Sequence, residues 1–178
     1  MRGGVAVVVV AASACGGMTS AVDAPAGANT IQGMVDGSPF ATAAASFWIG
    51  APDSPASDTV VYVFDRPVPC SAIVDAGWDS ALTPGTKILE LKEVGMDSAT
   101  YPNTPAATHI PAPGESFSSY TVAAPSASDL GATGGSVTLS ALGSAAGGFA
   151  SGAFDLTFAG GSLAGTFDAT FCAAGREP

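Results

Sequence analysis

Polar and apolar residues alternate most regularly over residues 152–171. Phe154, Leu156 and Phe158 are interleaved with Ala153, Asp155 and Thr157. Leu163, Phe167 and Ala169 are interleaved in the same way with Ala164, Thr166 and Asp168. A period of two predicts half-buried strands. The two segments, Gly-Ala-Phe-Asp-Leu-Thr-Phe (152–158) and Gly-Thr-Phe-Asp-Ala-Thr-Phe (165–171), are near-repeats. Gly160-Gly161 lies between them and suits a two-residue hairpin turn. Closing the hairpin there sets Phe154 opposite Phe167 and Phe158 opposite Leu163. All four then point inward, with Asp155, Thr157, Thr166 and Asp168 pointing outward.

The same reading extends toward the N-terminus. Residues 136–141 alternate strictly. Residues 59–64 (Thr-Val-Val-Tyr-Val-Phe) are apolar on both faces, which marks a central, covered strand. Residues 31–35 read as a strand ending at the hairpin signal Asp36-Gly37, with 40–48 as the returning strand. Over 86–94, Leu89 and Leu91 alternate with charged residues, so a strand is expected. Ser71 is a potential N-cap for a short helix or turn at 71–76. Residues 95–116 hold four prolines and read as a long surface excursion. The fold expected is all-β: a two-layer antiparallel β-sandwich of seven to ten strands over 30–173, with room for one short helix. Residues 174–178 are expected to be a disordered tail.

Composition narrows the partners. Fifteen Asp and Glu face five Lys and Arg, for a net charge of −10, yet only 11% of residues are charged. An acidic surface repels phosphate backbones, so nucleic acid is not an expected partner. The polar surface must come largely from Ser and Thr.

The N-terminus has its own pattern. Arg2 precedes an apolar run (Val5, Val7, Val8, Val9, Val10) and the small residues Ala12-Ser13-Ala14, followed by Cys15. This describes a secretory signal. It resembles the lipobox of bacterial lipoproteins, in which the cysteine becomes the lipidated mature N-terminus. The other reading is an ordinary signal peptide cut near Ala14. The resemblance implies a signal peptide over 1–14 and a lipidated Cys15. It also implies an anchor of several acyl chains, palmitate among them, each buried methylene contributing about 0.8 kcal/mol. Gly16-Gly17 occupy places where the family puts Asp or Lys for inner-membrane retention. The implied address is therefore the outer membrane of a Gram-negative cell. Residues 15–29 read as the lipidated cysteine and a flexible tether, 16–28 having a reach of roughly 20 Å. Three further pieces, Val35-Asp36-Gly37, Gly77-Trp78-Asp79 and the closing Gly-Thr-Phe-Asp-Ala-Thr-Phe-Cys (165–172), resemble a group of uncharacterised bacterial lipoproteins with an all-β domain. That resemblance implies a fold and an address, and no activity.

Two cysteines remain after Cys15. In an oxidising compartment Cys70 and Cys172 are expected to form a disulfide; the alternative is two buried thiols. A zinc site would need more ligands, and His109 is the only histidine.

Candidate chemistry is sparse. His109 sits in the proline-rich stretch without a Gly-x-Ser-x-Gly elbow, so Ser-His-Asp catalysis is not expected. The carboxylate pairs Asp53/Asp58, Glu90/Glu93 and Asp155/Asp168 read as solvated groups rather than a converging acid and base. The 53–58 loop lacks the pattern of an EF-hand. The paired glycines punctuate strands and hold no phosphate. Trp48 reads as core. Trp78, Tyr101 and Tyr120 are candidates for stacking on a sugar ring, although Trp78 equally suits packing beside Cys70. No cofactor or metal is expected. The function expected is a non-enzymatic envelope lipoprotein, a structural or interaction module with an envelope protein or glycan partner. The alternative is a carbohydrate- or other ligand-binding β-sandwich.

Overall fold

The computed structural model describes residues 29–40, 43, 45–49, 58–70, 72, 82–94, 97–105, 112–123, 129–143 and 148–172. Eleven strands follow one another: β1 (Thr30–Val35), β2 (Ser38–Pro39), β3 (Ala45–Ile49), β4 (Asp58–Phe64), β5 (Lys87–Val94), β6 (Thr100–Pro102), β7 (Ser116–Val122), β8 (Asp129–Gly131), β9 (Gly134–Leu142), β10 (Phe149–Phe158) and β11 (Gly161–Phe171). The fold is all-β, a two-layer sandwich. One layer runs β6-β9-β10-β11-β1-β2 and the other β3-β4-β5-β7-β8. Strand β11 belongs to both. Its first half pairs with β1, and Thr170–Phe171 then pair in parallel with Phe47 and Trp48 of β3. All other strand pairs are antiparallel. At the opposite edge a bridge between Asn103 and Ser116 joins the end of β6 to β7. The Asn103 amide group strengthens that seam by donating to the carbonyl of Ala132 at 3.3 Å.

Both layers fill one core. Val61, Val63, Leu89, Leu91 and Tyr120 meet Ile31, Val35, Val137, Phe154, Leu156, Phe158, Leu163 and Phe167, all buried. The Tyr120 ring lies between Phe40 and Phe158, with centroids 6.2 and 6.3 Å away. A second cluster lies on the outer face of β4 and β5. There Phe64 and Ile88 are covered by Val68, Ala72, Leu82 and Ala123. Strand β4 is thus buried on its inner face and covered in part on its outer one, where Phe64 is buried and Val60 and Tyr62 are half-buried. The Cys70–Cys172 disulfide, with Cα atoms 5.7 Å apart, ties this covering segment to the end of β11. Asp65 tightens it further, accepting from the Lys87 amide at 3.0 Å and from the Arg66 guanidinium at 3.1 Å.

The Asp36-Gly37 turn forms as expected, with φ values of 50° and 72°. Positive φ at both central residues is the geometry of a type I′ hairpin. The returning strand is shorter than predicted. It consists of Ser38–Pro39 alone, after which Phe40 turns into the core. Pro39 has no amide hydrogen with which to extend a ladder. Residues 45–48 belong to β3, which pairs with β4 and β11 instead.

The C-terminal hairpin corrects the predicted register. The turn is Ala159-Gly160, and Phe158 faces Gly161. Gly152 therefore faces Phe167, and Phe154 faces Gly165. Antiparallel pairing of two Gly-x-Phe repeats sets each ring over the glycine of its partner. A Cβ on Gly165 would lie 2.9 Å from Phe154 Cζ, so the ring occupies the space that the missing side chain leaves. The pairing partners differ from the prediction by two residues. A two-residue offset keeps every side chain on its predicted face. Phe154, Phe158, Leu163 and Phe167 are buried, while Asp155, Thr157 and Thr166 are exposed. Where β9 meets β10, the register shifts between Ser151 and Gly152, leaving Ser140 as a β-bulge.

The proline-rich stretch is not wholly an excursion. Thr100–Pro102 is a strand paired with Thr138, Val137 and Ser136 of β9. Proline is tolerated there because one edge of β6 carries no ladder. Cys15, the leader, Trp78, His109 and the 174–178 tail lie outside the described residues. So does the helix expected at 71–76, apart from the buried Ala72.

Candidate functional site

Tyr101 and Tyr120 are not a ligand platform. The sequence makes both candidates for stacking on a sugar ring, but Tyr101 is 3% exposed and Tyr120 2%. Tyr101 packs on β9, and its hydroxyl donates to the Asp97 carbonyl at 2.7 Å. Tyr120 belongs to the central core, and burial raises its phenol pKa above the ordinary range. The cause is register: residues 101 and 120 fall on the inward faces of β6 and β7. Asp155 and Asp168 do point outward, but they face Ala164 and Ser151 rather than each other, so no acid–base pair forms. Among the described residues no group of three His, Cys, Asp or Glu could hold a metal ion.

Two further perturbed titratable groups lie elsewhere, on the outer face of the second layer. Three strands bring together residues distant in sequence. Tyr62 of β4 faces Glu90 of β5, and Glu90 faces Ser119 of β7. Ser119 is 3% exposed, and its hydroxyl hydrogen-bonds the Glu90 carboxyl. Asp129 of β8 stands in the next row, opposite Thr121, whose hydroxyl donates to it at 3.4 Å. Burial holds the Glu90 carboxyl above its usual range, and the negative charge of Asp129 adds to this. Lys92 and the Ser119 hydroxyl act in the opposite direction. Burial also raises the Tyr62 phenol, with Glu90 contributing a like-charge penalty. Tyr62 stacks on Phe64 at 6.4 Å and so joins this polar row to the second apolar cluster.

Chemically this is a half-buried acid beside a half-buried phenol, and the surroundings favour the protonated form of each. Such a row donates and accepts hydrogen bonds. The alternating pattern of β5 makes Glu90 look like an ordinary solvated residue. No local signal marks it, because its partners come from β4 and β7.

The fold favours protonated Glu90, so stability falls as pH rises from the ordinary carboxyl value of 4.5 through the raised folded value. Below 4.5 both folded and unfolded chains hold the proton, and the penalty vanishes. Glu90→Gln is therefore expected to melt above the parent protein at pH 7, with the gap closing below pH 4. Thermal unfolding across pH 3–8 measures this, and equal midpoints at pH 7 would count against it.

No family model, curated protein or solved structure matches the chain.

Proposed function

We propose that the chain is a lipid-anchored module of the cell envelope that works by holding and presenting a surface rather than by catalysis. The observation that carries this reading is the Cys70–Cys172 disulfide. Stable structural disulfides belong to oxidising compartments, and the leader ending at Cys15 is the matching export signal. The tether over 15–29 leads into the domain at Asn29, whose side chain accepts from the Asp168 amide at 2.8 Å. A module of this kind needs a rigid body, and the sandwich supplies one through its continuous core and its two joined edges.

In cells that export the chain, Cys15→Ala is expected to move it from the membrane fraction to the soluble fraction. Loss of a multi-chain acyl anchor removes nearly all membrane affinity, since stable attachment needs more than one chain. Fractionation followed by immunoblotting reads the outcome. Undiminished membrane partitioning of the variant would reject the anchor.

A further inference from the structure

The two outer faces of the sandwich differ. The second layer is covered in part by the segment bearing Val68, Ala72 and Leu82. The outer face of the first layer, by contrast, is a five-strand surface with no such cover among the described residues. One row across it reads Thr100, Thr138, Ala153, Thr166, Thr30, and the next reads Pro102, Ser136, Asp155, Ala164, Gln32. Hydroxyls bond across it at both sides, Thr30 to Thr166 at 2.8 Å and Thr100 to Thr138 at 3.0 Å. Five strands span roughly 19 Å at the usual spacing. The two large apolar side chains that are exposed among the described residues, Phe149 (43%) and Met34 (49%), both stand on this face. Phe149 begins a track along β10 that continues through Ser151, Ala153 and Asp155 to Thr157, roughly 27 Å long. Beside it on β11 run Thr170, Asp168, Thr166, Ala164 and Ser162. Ala153 and Ala164 lower the middle of the track between taller neighbours.

We infer that this face docks a neutral polysaccharide chain, with Phe149 as the ring on which a sugar stacks and Asp155 with the threonine rows as its hydrogen-bonding partners. The inference rests on the reading of the chain as a surface-presenting module and names the class of its partner.

Charge decides against ionic occupants. The described part of the face carries no Lys or Arg, so it repels nucleic acid, anionic lipid and acidic glycans. Its two carboxylates, Asp155 and Asp168, lie roughly 14 Å apart by strand geometry. That exceeds the screening length of about 8 Å at physiological salt, so they make no concentrated field for a cationic peptide. What remains is a dense set of hydroxyl donors and acceptors beside one exposed ring. A polyol presents the same groups in return, and the apolar face of a pyranose covers the ring.

The test applies the detergent-solubilised full chain to an array of neutral hexose and N-acetylhexosamine oligosaccharides, followed by calorimetric titration of the retained sugars. Binding is expected, and it weakens about tenfold in Phe149→Ala, the upper range for loss of one ring contact. Asp155→Ala weakens it as well. Both side chains are exposed, so both variants keep the parent melting midpoint. Three results would overturn the proposal. One is no neutral oligosaccharide retained; another is affinity unchanged in both variants. The third is retention of decalysine alone, abolished by salt, which marks the face as a cationic-peptide surface. The array is read in solution, so its failure is separate from that of the membrane anchor, which fractionation of Cys15→Ala reports.

Discussion

Replacing Cys70 and Cys172 together by serine will lower the stability of the folded chain by about 4.7 kcal/mol, the chain-entropy value for a closed loop of about a hundred residues. The bridge spans 102 positions. It removes from the unfolded ensemble all conformations in which the middle of the chain and the end of β11 lie far apart. It also acts locally. Cys70 sits between Val68 and Ala72, two residues that cover Phe64 and Ile88. With the bridge gone, the cover is held mainly by its own apolar contacts and by the Asp65 hydrogen bonds. For a chain of this size a loss of that order lowers the midpoint by roughly 10 °C or more. Calorimetry with and without reductant measures it. Hydrogen exchange at the Ile88 amide is expected to quicken more than exchange at Leu156, which lies in the central core. A midpoint shift below about 2 °C would show that the bridge contributes little. Non-reducing mass spectrometry of the parent protein should meanwhile recover the Cys70 and Cys172 peptides as one joined species.

The second large effect concerns Gly152. A Cβ there would run into the backbone carbonyl of Thr138 and lie 2.5 Å from Phe167 Cζ. Neither neighbour has room to withdraw. The carbonyl belongs to the β9–β10 ladder, and the Phe167 ring is 2% exposed in the core. Overpacked sites of this kind lose about 1–3 kcal/mol, and the backbone contact places Gly152→Ala at the upper end or above. Gly134 is the control, because a Cβ there meets nothing within 4 Å. Gly134→Ala should change stability by no more than about 0.5 kcal/mol. The double variant Gly152→Ala/Phe167→Ala should cost less than the two single losses added together, since the ring contact is shared between them. Denaturant unfolding gives all four values. A Gly152→Ala protein as stable as the parent would restore the register in which Phe154 faces Phe167.

These two sites also show what the sequence displays and what it hides. Strands β4, β9, β10 and β11 are visible because their inward positions are apolar and regularly spaced. The Gly-x-Phe repeats even contain the correct register. A turn placed on the glycine pair masks it, because the rule that each ring covers a partner glycine operates only between strands. Strand β7 shows little alternation for a different reason. Its inward residues Ser116 and Ser118 are polar yet buried, and the Ser116 hydroxyl donates to the Tyr101 carbonyl at 3.2 Å. That partner lies on β6, within a stretch whose prolines suggest a loop. The burial of Tyr101 and Tyr120 is hidden by the same circumstance. The Tyr62–Glu90–Ser119 row depends on three strands separated by about thirty residues at each step, and no local pattern carries such information. The hydroxyl face is readable only in part. Alternation identifies Asp155 and Thr166 as outward, whereas the order of the strands determines that Thr30, Thr100 and Thr138 stand in the same row.

The place where the chain enters the sandwich has a mechanical consequence. Thr30 faces Thr166, and β1 runs antiparallel to β11 from that first rung onward. A tug on the segment ahead of Thr30 therefore loads one rung at a time, so β1 peels away like a zip instead of shearing as a block. Strand β11 would keep β10 on its other flank and its covalent clamp at Cys172. Under tension the first strand would part before the others, and because it carries Ile31 and Val35 its release would uncover one side of the shared core.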